Sequence, residues 1–198
     1  YGIFSAISND GNTFTIESGV RIDIQPYAAD SPFSLAGHGA FFVANDGTYV
    51  GIFSGNPASE AKSPSSLYLI FSKDGLTWDV KGAKRILKDY HDPTGVQYNG
   101  QYVMYAMNLH FYTAKVVSVD GLNWDATPEP INLLDEQGKT LDTGAIGDVG
   151  GMVAPNGELW LFSNHQQGQN PSMAIARWTK KADGGPGGPS QVMLPTLH

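Results

Sequence analysis

The chain has 198 residues, 41% of them hydrophobic and 16% charged, with a formal net charge of −7. That is enough apolar material for one well-buried domain or several units of a repeat, and the composition is that of a folded chain. The acidic balance excludes nucleic acid as an expected partner, because phosphate binding needs clustered Lys and Arg. With no Cys there can be no disulfide or thiolate metal site, and no apolar run reaches the ~20 residues that span a bilayer, so no membrane partner is expected.

In chain order the first element is a hairpin over residues 1–25, its tip formed by Ser8-Asn9-Asp10-Gly11-Asn12-Thr13-Phe14. It opens at Tyr1 directly in a strand-like run, without the charged start and apolar core of a signal peptide, as a processed or truncated form would. Strands are then predicted over 39–44 and 48–54, flanking Asn45-Asp46-Gly47, and the Pro- and Ser-rich stretch 56–66 reads as an insertion. Ser72-Lys73-Asp74-Gly75-Leu76-Thr77-Trp78 repeats the first tip. Strands 92–98 and 101–107 flank Asn99-Gly100, and Ser118-Val119-Asp120-Gly121-Leu122-Asn123-Trp124 repeats the tip again. Strands 148–154 and 158–163 flank Asn156-Gly157. A weaker copy of the tip ends at Asp183-Gly184, before a candidate strand over 191–194.

Asp-Gly and Asn-Gly supply the positive φ of tight hairpins, and Asp and Ser side chains bond the nearby amides. The aromatic that closes each Ser-x-Asp-Gly copy is expected to pack between neighbouring units. The copies at Ser72 and Ser118 lie one blade-sized period apart. The predicted fold is therefore all-β: a β-propeller of four-stranded antiparallel blades, forming one domain over 1–198. Residues 1–25 give the outer strands of one blade, 36–88 and 90–134 whole blades, and 144–195 another. Such a ring, an incomplete five-bladed one, is short of closure, and exposed blade faces are apolar, so self-association through the terminal blades or a further segment is expected. The alternative is a compact four-blade ring in which 1–25 pair with the C-terminal strands.

These repeats, with blade openings such as His91-Asp92-Pro93 and Gly147-Asp148, resemble the five-bladed propeller glycoside hydrolases of the arabinanase, β-xylosidase and invertase superfamily. The turn also resembles the Asp-box of sialidases, one residue shorter between Asp and Gly. The resemblance covers residues 1 to about 180 and implies a carbohydrate or glycoside substrate and a secreted or periplasmic location. In that family an acidic residue near the start of an inner strand acts as base or nucleophile, and Asp92 and Asp148 match that position. The family's general acid is a Glu on another inner strand, and none of Glu17, Glu60, Glu129, Glu136 and Glu158 matches it. Sialidases surround a carboxylate with three Arg, whereas Arg21 and Arg85 here occupy outer strands.

Antiparallel strand order says which residues can meet. Strand-one starts bring His38, His91, Asp92 and Asp148 to one end of the propeller. Strand-two ends bring Asn56, Asn108, His110, Asn164 and His165 to the same end, and the Ser-x-Asp-Gly turns fall at the other. His, Asp and Asn around a channel mouth suit hydrogen bonding to hydroxyls and acid–base work. The expected function is hydrolysis of a glycosidic bond, with Asp92 and Asp148 as the carboxylates. His91 or Glu60, in the insertion, is then available to donate the proton. Two alternatives stay open: a non-catalytic carbohydrate-binding propeller, and a His/Asp metal-dependent hydrolase. No cofactor is required and no residue is assigned as a metal ligand, although such a cluster has the chemistry to take Ca²⁺ or Zn²⁺ in the channel.

Overall fold

Short turns rich in Gly, Asn and Asp close successive antiparallel pairs. The computed structural model describes residues 2–23, 33–57, 66–109, 112–131, 137, 146–167 and 170–178, and of 33–36, 57, 146–148, 163–167 and 170–178 the backbone alone. Among them there is no helix, and most are in strands. β1 (Gly2–Ile3) pairs with β4 (Ile22–Asp23) and β2 (Ala6–Ile7) with β3 (Thr15–Ile16), so residues 2–23 make one interrupted hairpin. A four-stranded meander follows: β5 (Phe33–Val43), β6 (Tyr49–Pro57), β7 (Ser66–Ser72) and β8 (Lys84–Lys88). A second consists of β9 (Tyr90–Tyr98), β10 (Gln101–Asn108), β11 (Thr113–Ser118) and β12 (Glu129–Pro130). β13 (Ile146–Val153), β14 (Leu159–Gln167) and β15 (Asn170–Trp178) form the third sheet; the strand predicted over 191–194 lies outside the described residues.

These are propeller blades, as the turn repeats indicated. The first strands of the sheets lie side by side, β5 and β13 both packing against β9, so strand one of each sheet is innermost. The inner strands begin earlier than the sequence suggested, at Phe33, Tyr90 and Ile146. Gly37-His38 and His91-Asp92-Pro93 look like breaks in the sequence, but the ladder resumes beyond each of them.

The three Ser-x-Asp-Gly copies build one turn. The Asp10 carboxylate accepts the amides of Asn12 and Thr13 at 2.8 Å each. Asp74 accepts those of Leu76 and Thr77 at 2.8 and 2.7 Å, and Asp120 those of Leu122 and Asn123 at 2.8 Å each. Ser8, Ser72 and Ser118 accept the amide of the motif glycine, whose φ of +74°, +72° or +81° a side chain would strain. Trp78 and Trp124 donate Nε1–H to Gly75 and Gly121 and lie partly buried. Phe14 departs from the expected packing and is 60% exposed, because among the described residues no blade lies against that face of the first hairpin.

The amides of Thr13 and Asn12 hold Asp10 at about 2, and those of Thr77 and Leu76 do the same for Asp74. Asp120 is lowered further, chiefly by the Asn123 amide. A carboxylate depressed in the folded state stabilises above its ordinary value of 3.8, and that contribution is lost as the folded-state value is approached from above. Denaturation midpoints should therefore fall between about pH 4 and pH 2, and Asp120→Ala should flatten part of that fall. A midpoint that rises on acidification through this window would contradict the assignment.

Three apolar layers hold the blades. Val50, Ile52, Leu67 and Leu69 of the first sheet meet Met104, Ala106 and Val116 of the second, with Phe42 edge-on to Trp124 at 5.8 Å. Tyr98, Val103 and Tyr105 meet Val149 and Leu159 of the third sheet. Ile22 and Ile3 of the first hairpin cover Phe53, Tyr68 and Ile70 on the opposite face of the first sheet. Each fully buried side chain of this kind contributes roughly 1.5–3 kcal/mol. Nearer the inner strand that face is open among the described residues: Phe41 and Val43 are 49% and 48% exposed.

Candidate active site

A one-residue irregularity recurs toward the same end of all three inner strands. In β5, Gly37 pairs with Ser54 and Gly39 with Phe53, so His38 is the extra residue. In β9, His91 pairs with Met107 and Thr94 with Tyr105, which leaves Asp92 and Pro93 opposite Ala106. In β13, Gly147 pairs with Asn164 and Gly150 with Phe162, leaving Asp148 and Val149 opposite Ser163. Ladder bulges of this kind re-aim side chains and concentrate at the mouths of β-structures and beside active sites. Pro93 fits its place, since it has no amide to give the ladder.

Backbone strain collects here. Outside glycine, positive φ occurs among the described residues at His38 (32°), Asp89 (66°), Asp92 (51°) and Asn99 (51°), and three of these stand at the bulged end. Asn99 belongs to the Asn-Gly turn at the other end. A left-handed residue costs roughly 1–2 kcal/mol, so neighbouring contacts must hold it in place. For Asp92 that contact is visible: its amide donates to Ser54 Oγ at 2.7 Å across the blade junction, and Ser54 is buried.

The side chains converge on Asp92. Its Oδ1 lies 2.8 Å from His38 Nδ1 and its Oδ2 2.9 Å from His91 Nδ1. Asp92 and His91 are mostly buried, whereas the His38 side chain is 71% exposed. One carboxylate is thus gripped by two imidazoles from adjacent blades, one packed and one facing solvent. Such a set can exchange protons and accept hydrogen bonds from hydroxyl groups.

The remaining predicted residues divide. Asn56, on β6, stands at the same end, opposite Leu35. Asn108 does too, but its Oδ1 accepts the Tyr112 amide at 3.0 Å, which fixes the β10–β11 connection. The backbone places Asp148, Asn164 and His165 at the equivalent end of the third sheet, with His165 paired to Ile146; their side chains lie outside the described residues. Glu60 and His110 also lie outside them. Among the described residues no group of three His, Asp or Glu side chains is arranged to hold a metal ion.

Sequence reasoning missed Ser54, and it placed Asp89 at this end, on a loop entering an inner strand, without its backbone strain or its buried oxygen. Ser54 is signalled only as a small polar residue within the apolar run Ile52-Phe53-Ser54. The Asp89 carbonyl accepts the Leu109 amide at 3.1 Å, and its Oδ1 is buried without a hydrogen-bond partner. A cavity of about 430 Å³ lies instead at the Ser-x-Asp-Gly end, beside Phe71, Trp78 and Asp74. The Asp74 carboxylate there is already committed to its own turn, so this cavity offers less free acid–base chemistry than the bulged end. Asp120→Ala separates the two ends. It should lower Tm by about 2–4 °C, the scale of a lost cap, and leave ligand affinity unchanged. Loss of binding in the folded variant would put the site at the turn end.

No protein-family model and no curated protein sequence matches the chain. Solved structures do. An N-acetylgalactosamine deacetylase from F. plautii, in complex with blood group B trisaccharide, is 16% identical with a TM-score of 0.63, covering 90% of this chain and 57% of that one. An exo-1,5-α-L-arabinanase from a bovine ruminal metagenomic library is 12% identical with a TM-score of 0.61, covering 97% and 67%. An endo-1,4-β-xylanase from Bacteroides thetaiotaomicron is 13% identical with a TM-score of 0.53, covering 81% and 62%. The chain therefore spans between about half and two thirds of the length of these structures. Together with its meander sheets and adjacent inner strands, the likeness gives the chain the β-propeller fold of these structures.

Proposed function

We propose that this chain carries part of the site of a carbohydrate-active hydrolase that cleaves a glycosidic bond at the bulged end of the propeller. The observation that carries the reading is the bulge repeated at His38, Asp92 and Asp148 in three successive inner strands. Evolved sheets carry such irregularities where a side chain must be aimed, and here each one contains an acid–base residue. Solved structures of the same fold named as arabinanase and xylanase support a carbohydrate substrate. In this reading Asp92 and Asp148 are the two carboxylates, Asp92 acting through the imidazoles it holds, and proton transfer falls to the His cluster or to Glu60.

A second reading has one observation in its favour. A carboxylate flanked by two imidazoles is also a set suited to amide hydrolysis, and the similar F. plautii structure is named as a deacetylase. One panel distinguishes the two: aryl glycosides of several sugars beside N-acetylated sugars, with released phenol and released acetate both measured. Phenol release, abolished in Asp92→Asn and Asp148→Asn, supports the glycosidase. Acetate release alone supports the amide hydrolase. Binding without either product would identify a non-catalytic carbohydrate module.

A further inference from the structure

We propose that Asp92 is a positioning residue: it holds His38 and His91 with the proton on Nδ1, and His38 then meets the ligand through its Nε2 lone pair. The assignment follows from donor and acceptor chemistry. An ionised carboxylate has no hydrogen to give, so a nitrogen 2.8 or 2.9 Å from its oxygens must carry one. Both contacts use Nδ1, and they go to different oxygens of the same carboxylate. In a neutral imidazole that leaves Nε2 as the acceptor, because the hydrogen bond at one ring nitrogen sets the state of the other.

The backbone serves this arrangement. His38 is the extra residue of the β5 bulge and Asp92 lies in the β9 bulge, and both have positive φ. Ser54, on the strand beside His38, accepts the Asp92 amide, so the same blade junction orients the carboxylate and the imidazole. The two histidines are unequal. His91 has a side chain 19% exposed and serves as a packed clamp, whereas His38, 71% exposed, can reach a ligand. Its Nε2 accepts a hydrogen bond from a sugar hydroxyl or takes the proton of an attacking water. The resulting imidazolium rests against the Asp92 carboxylate.

The choice of ligand rests on the carbohydrate-hydrolase reading; the tautomer assignment does not. Long-range ¹H–¹⁵N NMR of histidine-labelled protein, recorded at a pH where its imidazole signals are those of neutral rings, should show His38 and His91 both with the proton on Nδ1. His38→Asn and His91→Asn assign the signals. In Asp92→Asn the amide offers one acceptor oxygen and one NH₂ group, so one of the two imidazoles should switch its proton to Nε2. If that variant fails to fold, Asp92→Glu should keep both protons on Nδ1. Wild-type signals with the proton on Nε2, or an Asp92→Asn spectrum identical to wild type, would overturn the assignment whether or not any glycoside is turned over. For the active protein, His38→Ala should lower kcat by at least ~10²-fold with KM nearly unchanged. A change in KM alone would overturn the proton-accepting role.

Discussion

Asp92→Asn is expected to lower turnover by ~10²–10⁴-fold, the usual weight of the acid–base group that Asp92 orients. That corresponds to about 3–5 kcal/mol of lost transition-state stabilisation. The replacement is nearly isosteric, and Asn tolerates the positive φ at this position as well as Asp does. The amide of residue 92 can still donate to Ser54, so the bulge should keep its shape. What changes is the side chain, which can no longer accept from both imidazoles. The expected signature is therefore a large fall in kcat in a protein whose melting temperature moves by only a few degrees. Full activity in the folded variant would remove Asp92 from the site.

The fold was legible because its signals are local. Ser72-x-Asp74-Gly75 and Ser118-x-Asp120-Gly121 each satisfy their own backbone within seven residues, and no distant partner is needed to read them. Asn99-Gly100 likewise announces its hairpin, both residues having positive φ. Strand direction then placed His38, His91 and Asp92 at one end, where the structure brings them together. The contacts themselves were not legible. His38 and Ser54 meet Asp92 across a blade junction, and that register is fixed by packing such as Ile52 against Met104, not by any spacing in the chain. The bulges escaped notice for the same reason: an extra residue in a ladder is defined by its partner strand. Asp89 illustrates the limit. Nothing in Lys88-Asp89-Tyr90 signals a left-handed backbone or a carboxylate oxygen buried without a partner.

Phe53→Ala should be among the most destabilising single changes in the described part of the chain, costing ~3–5 kcal/mol. The ring is fully buried and stacks on Tyr68 with centroids 6.0 Å apart. Ile22 and Ile3 of the first hairpin close over it, so truncation leaves a cavity whose lid is a hairpin of only two-residue strands. Such a lid can relax only by giving up its own burial. Ordinary domains have 5–15 kcal/mol in total, so the loss would be a large share of the fold's stability. The position matters to the site as well, because Ser54 is the next residue and holds the Asp92 amide. Phe14→Ala is the matched control: an aromatic of the same hairpin, 60% exposed, whose removal should change stability by no more than ~0.5 kcal/mol. Urea denaturation of the two variants measures the difference. If Phe53→Ala proved as mild as Phe14→Ala, the first hairpin would not be seated on the first sheet, and the layer formed by Ile22, Phe53 and Tyr68 would not exist in solution.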